Sequence, residues 1–141
     1  MATNTTPAFP QSRRDPRQVP NTLKMIMNWN DAGVTTGEAF PFSLPQSAFI
    51  TDVKVEVVTA FNAATTNTLT VGTNSSSYNN IVATADVNLG ATGVTSVSRG
   101  WGRSIANAAD TTPFVTYTQT GTSATTGQAI IVITYEGGWS S

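Results

Sequence analysis

Much of the chain alternates between apolar and polar positions. Leu23, Met25, Met27 and Trp29 are separated by Lys24, Ile26 and Asn28. A period of two predicts a β-strand. Asn30-Asp31-Ala32-Gly33 then reads as a turn. Phe40-Pro41-Phe42 is short, and its proline allows only an edge strand or a loop. The clearest pattern runs from Ile50 to Phe61. Val53, Val55, Val57, Thr59 and Phe61 take one face, and Asp52, Lys54, Glu56, Val58 and Ala60 take the other. That is a half-buried strand with a charged solvent face.

Further strands follow between polar turns. Asn62 to Asn67 makes a turn, Leu69-Thr70-Val71 is a short strand stopped by Gly72, and Thr73 to Asn80 is a polar loop. Ile81 to Leu89 and Val94 to Val97 are β-prone. Phe114, Thr116 and Thr118 alternate with Val115 and Tyr117, and Gly121 to Gly127 is a loop. Ala129, Ile131, Ile133 and Tyr135 alternate with Ile130, Val132 and Thr134. This last strand is apolar on both faces, which predicts a central place, covered from both sides or by a sister subunit. No segment carries a helical stripe, and Ser104 to Asp110 offers one short helical turn at most. The expected fold is all-β: a single β-sandwich or jelly roll over residues 22–141, with an extended N-terminal arm over residues 1–21. Strand order is not written locally, so the pattern does not choose among sandwich topologies.

The arm differs in composition. It holds Pro7, Pro10, Pro16 and Pro20, few large apolar residues and no periodicity. Proline removes backbone donors and favours extended chain. Arg13, Arg14, Arg17 and Lys24 face only Asp15 within residues 1–24, a net of +3, whereas the remainder is −4. Two readings stand: a solvated tail, or a basic arm docked on its own or a sister subunit's acidic body.

Composition removes several chemistries. Of the 141 residues, 25 are Thr, 12 Ser and 11 Asn, while only 11% are charged. With neither Cys nor His, the chain can form no disulfide, thiolate nucleophile, Ser-His-Asp triad or His/Cys zinc site. The net charge of −1 does not favour nucleic acid or a membrane surface. No apolar run has the length of a transmembrane helix, and the N-terminus is not expected to be a signal peptide. A surface of Thr, Ser and Asn stays soluble without charge and packs against copies of itself with little repulsion.

Carboxylates are the remaining acid-base apparatus. Asp52 and Glu56 lie four residues apart on one strand, about 13 Å between Cα atoms, which is longer than a glycosidase pair requires. Lys54 between them suits a surface ion-pair ladder better. No cofactor or metal is expected. The most unusual string is Arg99-Gly100-Trp101-Gly102-Arg103. Trp and Arg are favoured at protein interfaces, and Trp101 could stack on a base or a sugar; the plainer reading is a tryptophan that plugs the sandwich edge. Trp139 near the C-terminus suits docking on the body or on a neighbour. Candidate partner-binding residues are therefore Arg13, Arg14, Arg17, Arg99, Trp101, Arg103 and Trp139.

The run Leu44-Pro45-Gln46-Ser47-Ala48-Phe49-Ile50-Thr51-Asp52-Val53 leads through Val57-Val58-Thr59-Ala60-Phe61-Asn62 to Thr66-Asn67-Thr68-Leu69-Thr70-Val71-Gly72-Thr73. Ile81-Val82-Ala83-Thr84-Ala85-Asp86-Val87 follows, and Thr125 to Tyr135 closes the series. This order resembles small tailed-bacteriophage virion proteins, namely head decoration (cement) proteins and related head-fibre modules. It spans roughly residues 44–135 and contains no catalytic signature. The resemblance implies a non-enzymatic jelly-roll subunit, made in the host bacterial cytoplasm. In the virion it would sit on the outer capsid surface, bound across junctions between major capsid protein subunits. It implies self-association as a homotrimer, with a dimer as the second choice. The alternative is a carbohydrate- or receptor-binding module of a phage fibre, with Trp101 or Tyr78 as platform. A glycan-cleaving enzyme ranks last.

Overall fold

The computed structural model describes residues 21–106 and 108–137. Eight strands are present among them, and no helix: β1 (Asn21–Asn28), β2 (Glu38–Ala39), β3 (Ala48–Thr59), β4 (Thr66–Gly72), β5 (Gly93–Val97), β6 (Gly102–Ala106), β7 (Phe114–Thr120) and β8 (Gln128–Gly137). One sheet runs β1-β8-β3-β5, with β6 also on β3. The other runs β2-β7-β4. Every pairing is antiparallel.

The chain crosses between sheets at most connections, and its last strand inserts between the first and the third. An isolated bridge from Val82 to Val71 places residue 82 beyond β4, in the fourth position of the second sheet. Four positions in each of two layers, linked in this order, form a jelly roll. The alternation in β1, β3, β7 and β8 sets the inner faces. Met27, Val53, Val55, Leu69, Val71, Val115, Tyr117, Ala129, Ile131 and Ile133 are wholly buried between the layers. As the two-sided apolar pattern predicts, β8 is central, with Met25 and Val55 on either side of Ile131.

Two local expectations are corrected. Ile81 to Leu89 forms turns apart from the Val82 bridge, although Ile81, Val82, Val87 and Leu89 are buried. Asp86 Oδ2 accepts the Ala83 amide at 2.8 Å and Asn88 Oδ1 accepts the Gly90 amide at 2.9 Å, so side chains take donors that a ladder would need. Ser104 to Asp110 begins as the end of β6 and contains no helical turn among its described residues. Pairing of Ala106 with Ala48, and of Gly102 with Ile50, overrides the weak local preference. At Phe40-Pro41-Phe42 the chain is loop: the strand before it ends at Ala39, Phe40 is buried and Phe42 is exposed.

The abundant Asn residues hold the loops. Asn62 accepts from the amides of Thr125 and Thr126 at 2.8 and 3.1 Å and donates to Thr125 Oγ1 at 3.0 Å. Asn67 Oδ1 accepts from the Ala63 amide at 3.1 Å and from the buried Tyr117 hydroxyl at 2.7 Å. Asn74 Oδ1 accepts from Asn79 and Asn80, closing the 73–80 loop. Gly72 sits where a Cβ would lie 2.6 Å from the backbone of Tyr78 and Asn79, so only glycine lets that loop fold against β4.

Candidate functional site

The Arg99–Arg103 string is pulled apart by the fold. Trp101 is 5% exposed and belongs to the hydrophobic core. Its indole N–H is enclosed without a hydrogen-bond partner among the described residues. Gly102 has φ +49°, a left-handed turn that swings the chain from the plugged tryptophan into β6. Ser104 fixes this turn by donating its amide to the Trp101 carbonyl at 2.9 Å. Arg99 leaves the string to pair with Asp86. Burial raises the Asp86 carboxyl, but the Arg99 hydrogen bond, the Ala83 amide and the Arg99 charge together bring it below its ordinary value. Arg103 projects outward from β6.

Tyr78, the other candidate stacking platform, is occupied as well. Its ring stacks on Phe114 with centroids 4.7 Å apart, and its backbone is left-handed at φ +46°. Arg13, Arg14, Arg17 and Trp139 lie outside the described residues. Asp52 and Glu56 share the outer face of β3, where Lys54 binds Asp52. A ladder rather than a converging acid pair is what the strand spacing predicts.

One carboxyl pair has no sequence signal. Asp31, in the β1–β2 turn, accepts the Asn28 amide at 2.7 Å and stands beside Glu38 at the start of β2. Glu38 Oε2 is enclosed without a partner among the described residues. Burial, then the Asp31 charge, then a hydrogen bond with Asp31 hold the Glu38 carboxyl above its ordinary value. A turn of six residues separates the two acids, so only the folded turn reveals the pair. A shallow cleft nearby is lined by Lys24, Met25, Ile26, Glu38, Ala39 and Pro41.

The broadest candidate surface is the outer face of the β1-β8-β3-β5 sheet. Two cross-strand rows follow from the register: Ile26, Ile130, Glu56 and Val94 form one, and Lys24, Val132, Lys54 and Ser96 the next. Ile26 is 47% exposed and Val94 62% exposed. Ile130 and Val132 are half-buried, beside a hollow of about 230 Å³ that they line with Lys54, Glu56 and Val94. No third layer of strands covers this face among the described residues. The strand that reads as apolar on both sides is therefore packed on one side and open on the other. The sequence missed this because alternation marks which residues share a face, not what covers it.

No protein-family model matches the chain. No curated protein matches it either. Among solved structures, the fold is similar to a chain of the cyanophage Pam1 capsid asymmetric unit, with TM-score 0.61, 19% identity and 84% of both chains covered. It is also similar to a chain of the acidic stable capsid structure of Helicobacter pylori bacteriophage KHP30, with TM-score 0.59 and 15% identity, covering 86% of this chain and 90% of that one. The chain thus has the fold of chains found in two phage capsid structures.

Proposed function

We propose that this protein is a structural component of a phage virion that binds the outside of the assembled capsid and stabilises junctions between major capsid protein subunits. The observation that carries the reading is the shared jelly roll, matched over most of the length of chains in two phage capsids. Surface chemistry supports it. Small neutral side chains dominate, Ile26, Phe49, Val58 and Val94 are exposed on strands of one sheet and Phe42 on a loop, and of the candidate stacking rings Trp101 is buried and Tyr78 is stacked on Phe114.

The mechanism is linkage. A protein that binds only the assembled shell stabilises it by mass action, and many modest contacts add up around the shell. A homotrimer suits junctions of threefold symmetry, and the basic arm, with Arg13, Arg14 and Arg17, would lace subunits together. The role requires no catalysis and no cofactor.

The test is co-sedimentation of the purified full chain with phage heads depleted of it, followed by heating of the heads. Saturable binding and a higher temperature of DNA release are expected. Heads that neither bind the protein nor gain stability would overturn the proposal. Deleting residues 1–20 is expected to weaken binding, and a truncated chain that binds as tightly would remove the arm from the mechanism.

A further inference from the structure

We propose that the open face of the β1-β8-β3-β5 sheet is a self-association surface, on which a second copy packs face to face about a twofold axis. The inference is independent of capsid binding, because it rests on the pattern of this face alone.

The two central rows are complementary to each other. Let the axis lie in the interface, across the strands, midway between them. Each strand then faces its own copy running in the opposite direction. Lys54 meets Glu56 of the second copy, and Glu56 meets its Lys54. Val132 meets Ile130, Ser96 meets Val94, and the Lys24 stem covers Ile26. The outer rows are mainly polar: Thr22, Thr134 and Asp52 on one side, and Asn28, Gln128 and Thr59 on the other, where the β3 bulge also exposes Val58. An apolar centre with paired charges inside a polar rim is the anatomy of an interface. Two sheets packed this way keep their strands within about 30° of each other, so the central strands β8 and β3 hold register while the edges diverge.

Size sets the strength. Four strands at about 4.8 Å and seven residues along each at about 3.4 Å give a patch of roughly 460 Å² per copy. That is about half of the roughly 800 Å² that each partner buries in a standard stable interface. The contact is therefore weak, and it joins copies at high local concentration rather than in dilute solution. Any threefold association of the proposed clamp uses other surfaces.

The experiment is light scattering or sedimentation of the full chain over a concentration series up to millimolar. The average mass is expected to rise with concentration to at least twice its dilute value. Glu56→Lys places like charges opposite each other and is expected to hold the mass at the dilute value. Val94→Asp, at an exposed position, should do the same. The double variant Lys54→Glu with Glu56→Lys restores opposite charges across a twofold axis and should recover association. Circular dichroism confirms that each variant is folded.

A wild-type mass that stays flat overturns the proposal. So does association that survives Glu56→Lys, or a double variant no better than the single one. A mass that rises only after residues 1–20 are removed would show that the arm occupies the face, and a mass that rises only when major capsid protein is added would give the face to that partner. Either result overturns the proposal.

Discussion

Neighbouring residues on β8 should differ sharply in what they contribute to stability. Ile131 is wholly buried between Met25 and Val55, whereas Ile130 lies on the open face. Ile131→Ala removes three carbon atoms, about 2.4 kcal/mol of transfer free energy at about 0.8 kcal/mol each. The cavity left in a packed sandwich adds to this, so the expected loss is about 3–4 kcal/mol. Ile130→Ala removes the same atoms from a half-solvated position and should cost about 1 kcal/mol. Against a total stability of about 5–15 kcal/mol, the first variant is severe and the second mild. Urea unfolding followed by circular dichroism, in dilute solution where copies stay apart, measures both. In concentrated solution Ile130→Ala should also lower the tendency to associate, whereas Ile131→Ala should not do so at equal folded fraction. Equal losses for the two variants, or a larger loss at Ile130, would refute the assignment of the inner and outer faces of β8.

Three other substitutions probe the loops and the charged groups. The Glu38 carboxyl is held above its ordinary value of 4.5, so stability is fully present below that value and is lost as pH rises through the folded one. Glu38→Gln should therefore melt higher than wild type at pH 7, with the gain vanishing in acid; a pH-independent difference in melting temperature would contradict this. Asp86 has the opposite sign, because its lowered pKa contributes stability above the ordinary carboxyl range that is lost as pH falls. Arg99 is partly exposed, so Arg99→Ala should cost under about 1 kcal/mol, as read from denaturant midpoints in low and high salt. At Gly127, φ is +148° and a Cβ would lie 2.5 Å from Phe61 Cγ, so Gly127→Ala should cost about 2 kcal/mol or more in unfolding measurements.

The candidate surface was legible only in part. Alternation at Ile130 and Val132 marked β8 as unusual, and the option of cover by a sister subunit followed from it. The Arg99–Arg103 string had local novelty, but its three large side chains end in three environments: an ion pair, the core and solvent. Local spacing cannot foresee that, because Trp101 is placed by the core it joins and Arg99 by an acid thirteen residues away. Asp31 was legible only as part of a turn, and Glu38 carried no signal of its own.

The strands β1, β3, β7 and β8 and their buried faces are legible in the residue pattern, because side chains on a pleated strand alternate whatever the partner is. The composition also removed Cys and His chemistry outright. Tertiary structure decided which strands pair, since β1 finds β8 across about a hundred residues and inserts nothing local to announce it. It turned residues 102–106 into a strand, kept 81–89 irregular and brought Asp31 to Glu38. It also left one face of the central sheet uncovered. Each of these depends on contacts between residues far apart in the chain, where the free energy of packing outweighs local preference.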